Sequence, residues 1–333
     1  MTDRRVGRRA FLAAAAAAVV AGCGADEPPP SDPPSPSPTP KQPAGPASDP
    51  PLLTPDLPAS APWQPGANEI SPEVKVAAVR VLEALGTVPD GVPVSPAADR
   101  LTAAGAAPAL EGFAGPLLPP VAPAVAQLVY AQYGGLERTT ASVMAIVKQT
   151  WADGDNLGER VVTVDVRLAK SGSGWAVTEL RPVAPVPDAA AGLTGPAAEL
   201  AGSDRVQLPN AAVADLAGGI VDPRVVAALL QLAQAYQLSV SVFRNGHPEN
   251  VFGTDRQSNH TRGRAVDIWA VDGRPIVSMA KDDPFLLDFL AAVRATGSDE
   301  IGAPVDPDGG PGGDYFADDL HRDHVHLSFE RAA

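Results

Sequence analysis

Between Pro28 and Pro65 the chain carries 16 of its 37 prolines. Proline fixes φ and lacks a backbone N–H, so neither a helix nor a sheet runs through such a stretch. Mixed with Ser, Ala, Asp and Thr, it lacks the apolar content to fold and favours extended polyproline geometry. It divides the 333 residues into a short leader, a spacer and a remainder long enough for two cores. The segments read as a leader (1–22), a Pro-rich tether (23–67), a first folded domain (68–184), a linker (185–203) and a second folded domain (204–333). The class expected for the folded part is α+β.

The leader carries Arg4, Arg5, Arg8 and Arg9 against Asp3, then a wholly apolar run from Phe11 to Ala21. That is the layout of an export signal, too short for a stable spanning anchor. Arg8-Arg9-Ala10-Phe11-Leu12 resembles a twin-arginine signal, and Val20-Ala21-Gly22-Cys23 resembles a bacterial lipobox. The resemblance implies export by the twin-arginine route, lipidation of Cys23 and attachment to the outer face of the cell membrane. A plain signal peptide with an incidental cysteine is the alternative; the small residues directly after the apolar run favour lipidation. As the only cysteine, Cys23 excludes a disulfide scaffold, a cysteine zinc cluster and an iron–sulfur protein. A net charge of −14 argues against a nucleic-acid partner, which needs a basic face.

In the first domain, Ser71-Pro72-Glu73-Val74 opens like a helix, with Ser71 as N-cap and Pro72 in the first turn. Apolar residues recur at helical spacing from Val74 to Leu85, and Gly86 ends the run. Four strand-like runs follow: 124–133, 139–151, 160–169 and 174–183. Val162, Val164, Val166 and Leu168 alternate with Thr163, Asp165 and Arg167, the pattern of a strand with one buried and one solvated face. Gly134-Gly135 and Ser171-Gly172-Ser173-Gly174 read as turns. A helix followed by an antiparallel meander resembles a cystatin-like or nuclear-transport-factor-like cone. The domain holds no histidine and no catalytic constellation, so a binding, spacing or purely structural role is expected of it.

All five histidines, His247, His260, His321, His324 and His326, fall in the second domain. A short strand at 206–208, a helix from Asp222-Pro223 to about Tyr236, a strand at 238–243 and a helix at 284–295 are its expected elements. Ala265, Asp267 and Trp269 share one strand face, while Val266, Ile268 and Ala270 share the other. Asp267 therefore projects away from the core, with His260 on the preceding loop and Gly263 allowing the turn between them. His324, His326 and Ser328 share a parity opposite to Val325, Leu327 and Phe329. If the two strands are neighbours, two histidines and one aspartate converge, the donor set of a Zn²⁺ site with an open position. H-x₆-D and H-x-H are each weak signals; on alternating strands, with every histidine in one domain, they reinforce one another. The acidic run from Asp299 to Asp323 lacks the spacing of a calcium loop and reads as a solvated loop over the cleft.

Ser258, His260, Gly263, Ala265 and Asp267 spell S-x-H-x-x-G-x-A-x-D, followed by H-x-H at His324 and His326. This pair of motifs resembles the zinc D-Ala-D-Ala carboxypeptidase superfamily, the LAS-type group of VanY-like carboxypeptidases, D,D-dipeptidases and peptidoglycan endopeptidases. The resemblance covers residues 204–333 and implies a central antiparallel sheet. It implies that His260, Asp267 and His326 hold Zn²⁺, with Ser258 and Gly263 supporting them. His321-x-x-His324-x-His326 looks like the branch with extra histidines at the site. There His324 would hold or deprotonate the attacking water, and His321 would donate a proton or contact the transition state. Arg244, at the end of the preceding strand, matches the family arginine that binds the substrate carbonyl or carboxylate. Other branches place a glutamate base where this chain has Asp323, one carbon shorter and of opposite parity to His324. The histidine is therefore favoured as base, with Asp323 supporting it or at the surface. Arg256, Arg262 and Arg264 add to a local basic concentration, but only Arg244 is assigned a role. The implied substrates are peptidoglycan stem peptides, acted on by a monomer. A non-catalytic wall-binding protein with the same fold, and an endopeptidase that cuts cross-links, are the competing readings.

Overall fold

The computed structural model describes residues 56–331, apart from 60, 92, 173 and 311. The leader, Cys23 and the tether up to residue 55 lie outside the described residues. Trp63, placed by its sequence in the tether, packs against the first core, and its N–H donates to Glu83 Oε1 at 3.0 Å.

Helix α1 (Pro72–Gly86) buries Val74, Ala78, Val81, Leu82 and Leu85, the apolar stripe its spacing predicts. Ser71 does not cap it with its side chain: φ is 45°, and its carbonyl instead accepts from the Tyr133 hydroxyl at 2.9 Å. Two short helices, α2 (Ala97–Ala103) and α3 (Glu111–Ala114), lead into an antiparallel meander. Its strands are β1 (Ala124–Leu136), β2 (Thr140–Asp153), β3 (Asn156–Ser171) and β4 (Gly174–Pro182), hydrogen-bonded in that order. One face packs on α1 through Ala131, Tyr133, Val143, Ala145, Val162, Val164 and Val166.

Helices α4 (Gly195–Ala201), α5 (Asn210–Ala217), α6 (Pro223–Ala233) and α7 (Pro284–Ala295) belong to the second half. Pro at the first turn and an aspartate before it start both α6 and α7; Asp222 accepts from Arg224 N and Asp283 from Phe285 N. The second sheet contains β5 (Val206–Gln207), β6 (Leu238–Val242), β7 (Ala265–Val271), β8 (Arg274–Pro275), β9 (Glu300–Gly302), β10 (Tyr315–Phe316) and β11 (Val325–Ser328). Its order is β10-β9-β11-β7-β6-β5, with β8 paired to β7. The central pairs are antiparallel, whereas the edge pairs β5–β6 and β9–β10 are parallel. Val240, Val266, Ile268, Val325 and Leu327 pack beneath α6 and α7 in a second core. The fold is therefore mixed helix and sheet, built on two sheets.

Three sequence expectations change. Gly134-Gly135 is not a turn: both residues lie inside β1, at a register shift between Tyr133 and Gly135. A Cβ on Gly135 would overlap the Phe252 ring, so the glycines let the 248–252 loop approach the strand. Thr163 and Asp165, expected in solvent, are 3% exposed because the sheet's second face packs on the second half of the chain. The run from Asp299 to Asp323 is not wholly a solvated loop, since β9 and β10 join the sheet through it.

The two halves meet through these polar faces. Tyr130 of β1 stacks on Trp269 of β7 at 4.4 Å between ring centroids, and Arg167 of β3 lies over Phe252 at 5.4 Å. The described residues, 56–331, fall in one compact unit. Among the described residues no helix is long and apolar enough to cross a membrane.

Candidate metal centre

His326 on β11 lies directly opposite Asp267 on β7 in the antiparallel register. Because Val266, Ile268, Val325 and Leu327 anchor the other side of both strands, the two polar side chains turn toward the first sheet. His260 reaches the same point from the loop before β7. Gly263, in that loop, has φ 71°, and a Cβ there would run into the Ile220 carbonyl. The Ser258 hydroxyl accepts from His260 N at 3.2 Å and pins the loop from within.

Three atoms form a triangle. His260 Nε2 lies 3.1 Å from Asp267 Oδ1 and 3.1 Å from His326 Nδ1, and His326 Nδ1 lies 3.0 Å from Asp267 Oδ1. His260 Nδ1 sits 2.6 Å from the Phe243 carbonyl, which only accepts, so Nδ1 carries a proton and Nε2 is the nitrogen turned into the triangle. Two imidazole nitrogens and a carboxylate oxygen are donor types that bind a transition-metal cation.

Burial raises the pKa of Asp267, but the imidazoles of His260, His324 and His326 more than offset it and hold the carboxyl well below the usual carboxylate range. Burial is also the main force lowering His326, to about 4, so at neutral pH it is an uncharged donor. His247 joins His260 and Asp267 in a second possible donor group, with ligand atoms within 4.8 Å of one another. Its ring, however, stacks on His260 at 3.9 Å and 17°. Imidazole lone pairs lie in the ring plane, so two near-parallel stacked rings do not aim at one point. The His326 ring, tilted 59° from His260, does converge. Ring orientation thus favours His326 over His247 as the partner of His260 and Asp267, and His247 stacks on His260.

His324 stands beside the triangle, its Nε2 3.7 Å from Asp267 Oδ1 and its Nδ1 2.6 Å from Asp323 Oδ1. Burial opposes protonation of His324, yet Asp267 and Asp323 outweigh it and raise its pKa. Asp323 is 2% exposed, so it supports the site and is not a surface group. Its Oδ2 accepts from Lys75 Nζ at 2.6 Å and from Tyr133 N at 3.0 Å, and Lys75 also pairs with Glu69. Burial raises the Asp323 carboxyl, and Lys75 and His324 together bring it below the usual range. His321 is built the same way: its Nδ1 lies 2.7 Å from Asp318 Oδ1. Hydrogen bonding to His321 overcomes the burial of Asp318 and lowers its carboxyl to about 2. Each histidine thus has one nitrogen held by a carboxylate and the other left for the cleft.

Arg244 is not brought to the centre. Its side chain is exposed, and its backbone N–H bonds to the buried Asp215. Arg256 lines the cleft instead, with Tyr133, Asn259, Glu300 and Phe316. Lys75, Gln132, Tyr133 and Asp318 escape the sequence reading. For Asp318 the signal was present, an aspartate three residues before a histidine. For the other three nothing in a separate domain without histidines pointed to the site.

Comparison with known proteins is silent: no protein-family model, curated protein or solved structure matches the chain.

Proposed function

We propose that the chain is an exported, lipid-anchored zinc peptidase that hydrolyses D-amino-acid-containing bonds of peptidoglycan stem peptides. The observation that carries this is the His260–Asp267–His326 triangle with the Asp323–His324 pair beside it. Tetrahedral zinc with bonds of ~2.0–2.1 Å holds its ligand atoms about 3.3 Å apart, close to the spacing of this triangle. Histidine nitrogen with one carboxylate is a borderline donor set that suits zinc better than calcium or magnesium. The S-x-H-x-x-G-x-A-x-D and H-x-H motifs resemble those of the LAS-type group and support that fold for the second half, and the helix against a four-stranded meander suits a cystatin-like first half. The leader and Cys23 support export and membrane attachment.

A zinc ion held by His260, Asp267 and His326 would supply Lewis acidity to a carbonyl and lower the pKa of a bound water. His324 Nε2 is placed to take a proton from the attacking water, and Asp323 to stabilise the imidazolium that would form. His321 Nε2, with Nδ1 held by Asp318, returns a proton to the leaving amine. Arg256, on the cleft wall, offers a guanidinium to a substrate carboxylate. The first half contributes the cleft wall at Tyr133 and Gly134.

The test is mass spectrometry of purified muropeptides incubated with the protein, with and without EDTA. Loss of a terminal D-alanine, abolished by EDTA, is the expected result. Cleavage of cross-links instead would make the protein an endopeptidase. Zinc-loaded protein that leaves every muropeptide intact would be a wall-binding protein.

A further inference from the structure

We propose that Gln132, on the first sheet, is a positioning residue of the metal centre: it fixes the Asp267 carboxylate so that Oδ1 faces the metal. The inference rests on the metal-centre reading above. Gln132 Nε2 donates to Asp267 Oδ2 at 2.7 Å, across 135 residues of sequence. A carboxylate only accepts, so the amide must present its NH₂ to it. One oxygen of Asp267 thus belongs to the donor triangle and the other to the first sheet.

Packing does not account for an amide at this position. Gln132 is completely buried, and its Oε1 has no hydrogen-bond partner. An apolar side chain of the same length would fill the space without orphaning a carbonyl. What glutamine adds is the single bond to Asp267. The register that delivers it is also fixed. Tyr130 and Gln132 share one face of β1, Trp269 and Asp267 share one face of β7, and the Tyr130–Trp269 stack locks the two strands two residues from the hydrogen bond. Partners of ligating carboxylates and imidazoles set ligand orientation and basicity. The second half carries all the ligands, but the centre is completed by the first.

The experiment compares zinc affinity of full-length wild type, Gln132→Met and Gln132→Leu by competition with a chromogenic chelator. Melting temperatures are recorded on the metal-free and zinc-loaded proteins. Both variants are expected to bind zinc about 10–100-fold more weakly. Their metal-free melting temperatures should fall modestly, because the buried Asp267 Oδ2 loses its hydrogen-bond donor, and their stabilisation by zinc should shrink. Wild-type zinc affinity in either folded variant overturns the proposal, as does a drop in metal-free melting temperature with affinity intact. Wild-type protein that takes up no zinc overturns both the proposal and the metal-centre reading. Zinc uptake without muropeptide cleavage removes only the peptidase reading, and the Gln132 comparison still decides.

Discussion

His247 and His326 both stand next to His260, and only ring orientation separates their roles. His326 is tilted toward the Asp267–His260 contact, and His247 is stacked flat on His260. His326→Ala should therefore abolish stoichiometric zinc binding, whereas His247→Ala should retain it. Zinc content after gel filtration in stoichiometric metal measures both, and the reverse pattern would make His247 the third ligand. His326 was legible in the sequence because alternation put it on the same face as His324, away from Val325 and Leu327. The Asp323 role was only half legible. Strand alternation predicted the wrong parity for it, but Asp323 lies in a helical turn before β11, from which its side chain holds His324 Nδ1.

At the scale of elements, the loop from Ser258 to Arg264 carries His260 into place, and Gly263 is its fixed point. Left-handed backbone costs a non-glycine residue about 1–2 kcal/mol. The added methyl also meets the Ile220 carbonyl, which belongs to backbone and cannot swing away. Gly263→Ala should cost at least ~2 kcal/mol, or roughly 3–4 °C in melting temperature for a folded part of this size, and should weaken zinc binding as His260 shifts. Calorimetry with and without zinc reads both effects, and an unchanged melting temperature would contradict the strain. The helices α6 and α7 and the strands β6, β7 and β11 were readable from apolar period and proline caps. The edge strands β9 and β10 were not: two or three residues in an acidic, glycine-rich run carry no period.

For the molecule as a whole, the buried histidines set how stability responds to acid. His326 and His247 have pKa values lowered by burial, His326 to about 4. Unfolded, both would titrate near 6.5. Between those values the unfolded chain binds more protons, so folded stability is lost as pH falls from about 6.5 toward 4. His324, raised by Asp267 and Asp323, works in the other window: its contribution is full below 6.5 and is lost as pH rises through its folded value. The metal-free protein should therefore melt progressively lower from pH 6.5 to 4 in thermal scans; a flat profile would contradict the burial of these groups as neutral rings.

The sequence by itself determined the longer periodic elements and the faces that carry the candidate donors, because alternation and helical spacing are local. A period of 2 or 3.6 selects which residues face a core, and the alternation around Asp267 and His326 selects what faces away from it. Only the tertiary structure decided what covers that face. Thr163, Asp165, Gln132 and Lys75 are polar, and a polar residue facing another domain has the same pattern as one facing water. The docking of the first sheet onto the second turned them inward, carried Gln132 to Asp267 and Lys75 to Asp323, and left Arg244 outside while Arg256 took the cleft wall. Such contacts join residues more than a hundred positions apart through single hydrogen bonds, and these leave no period in the chain.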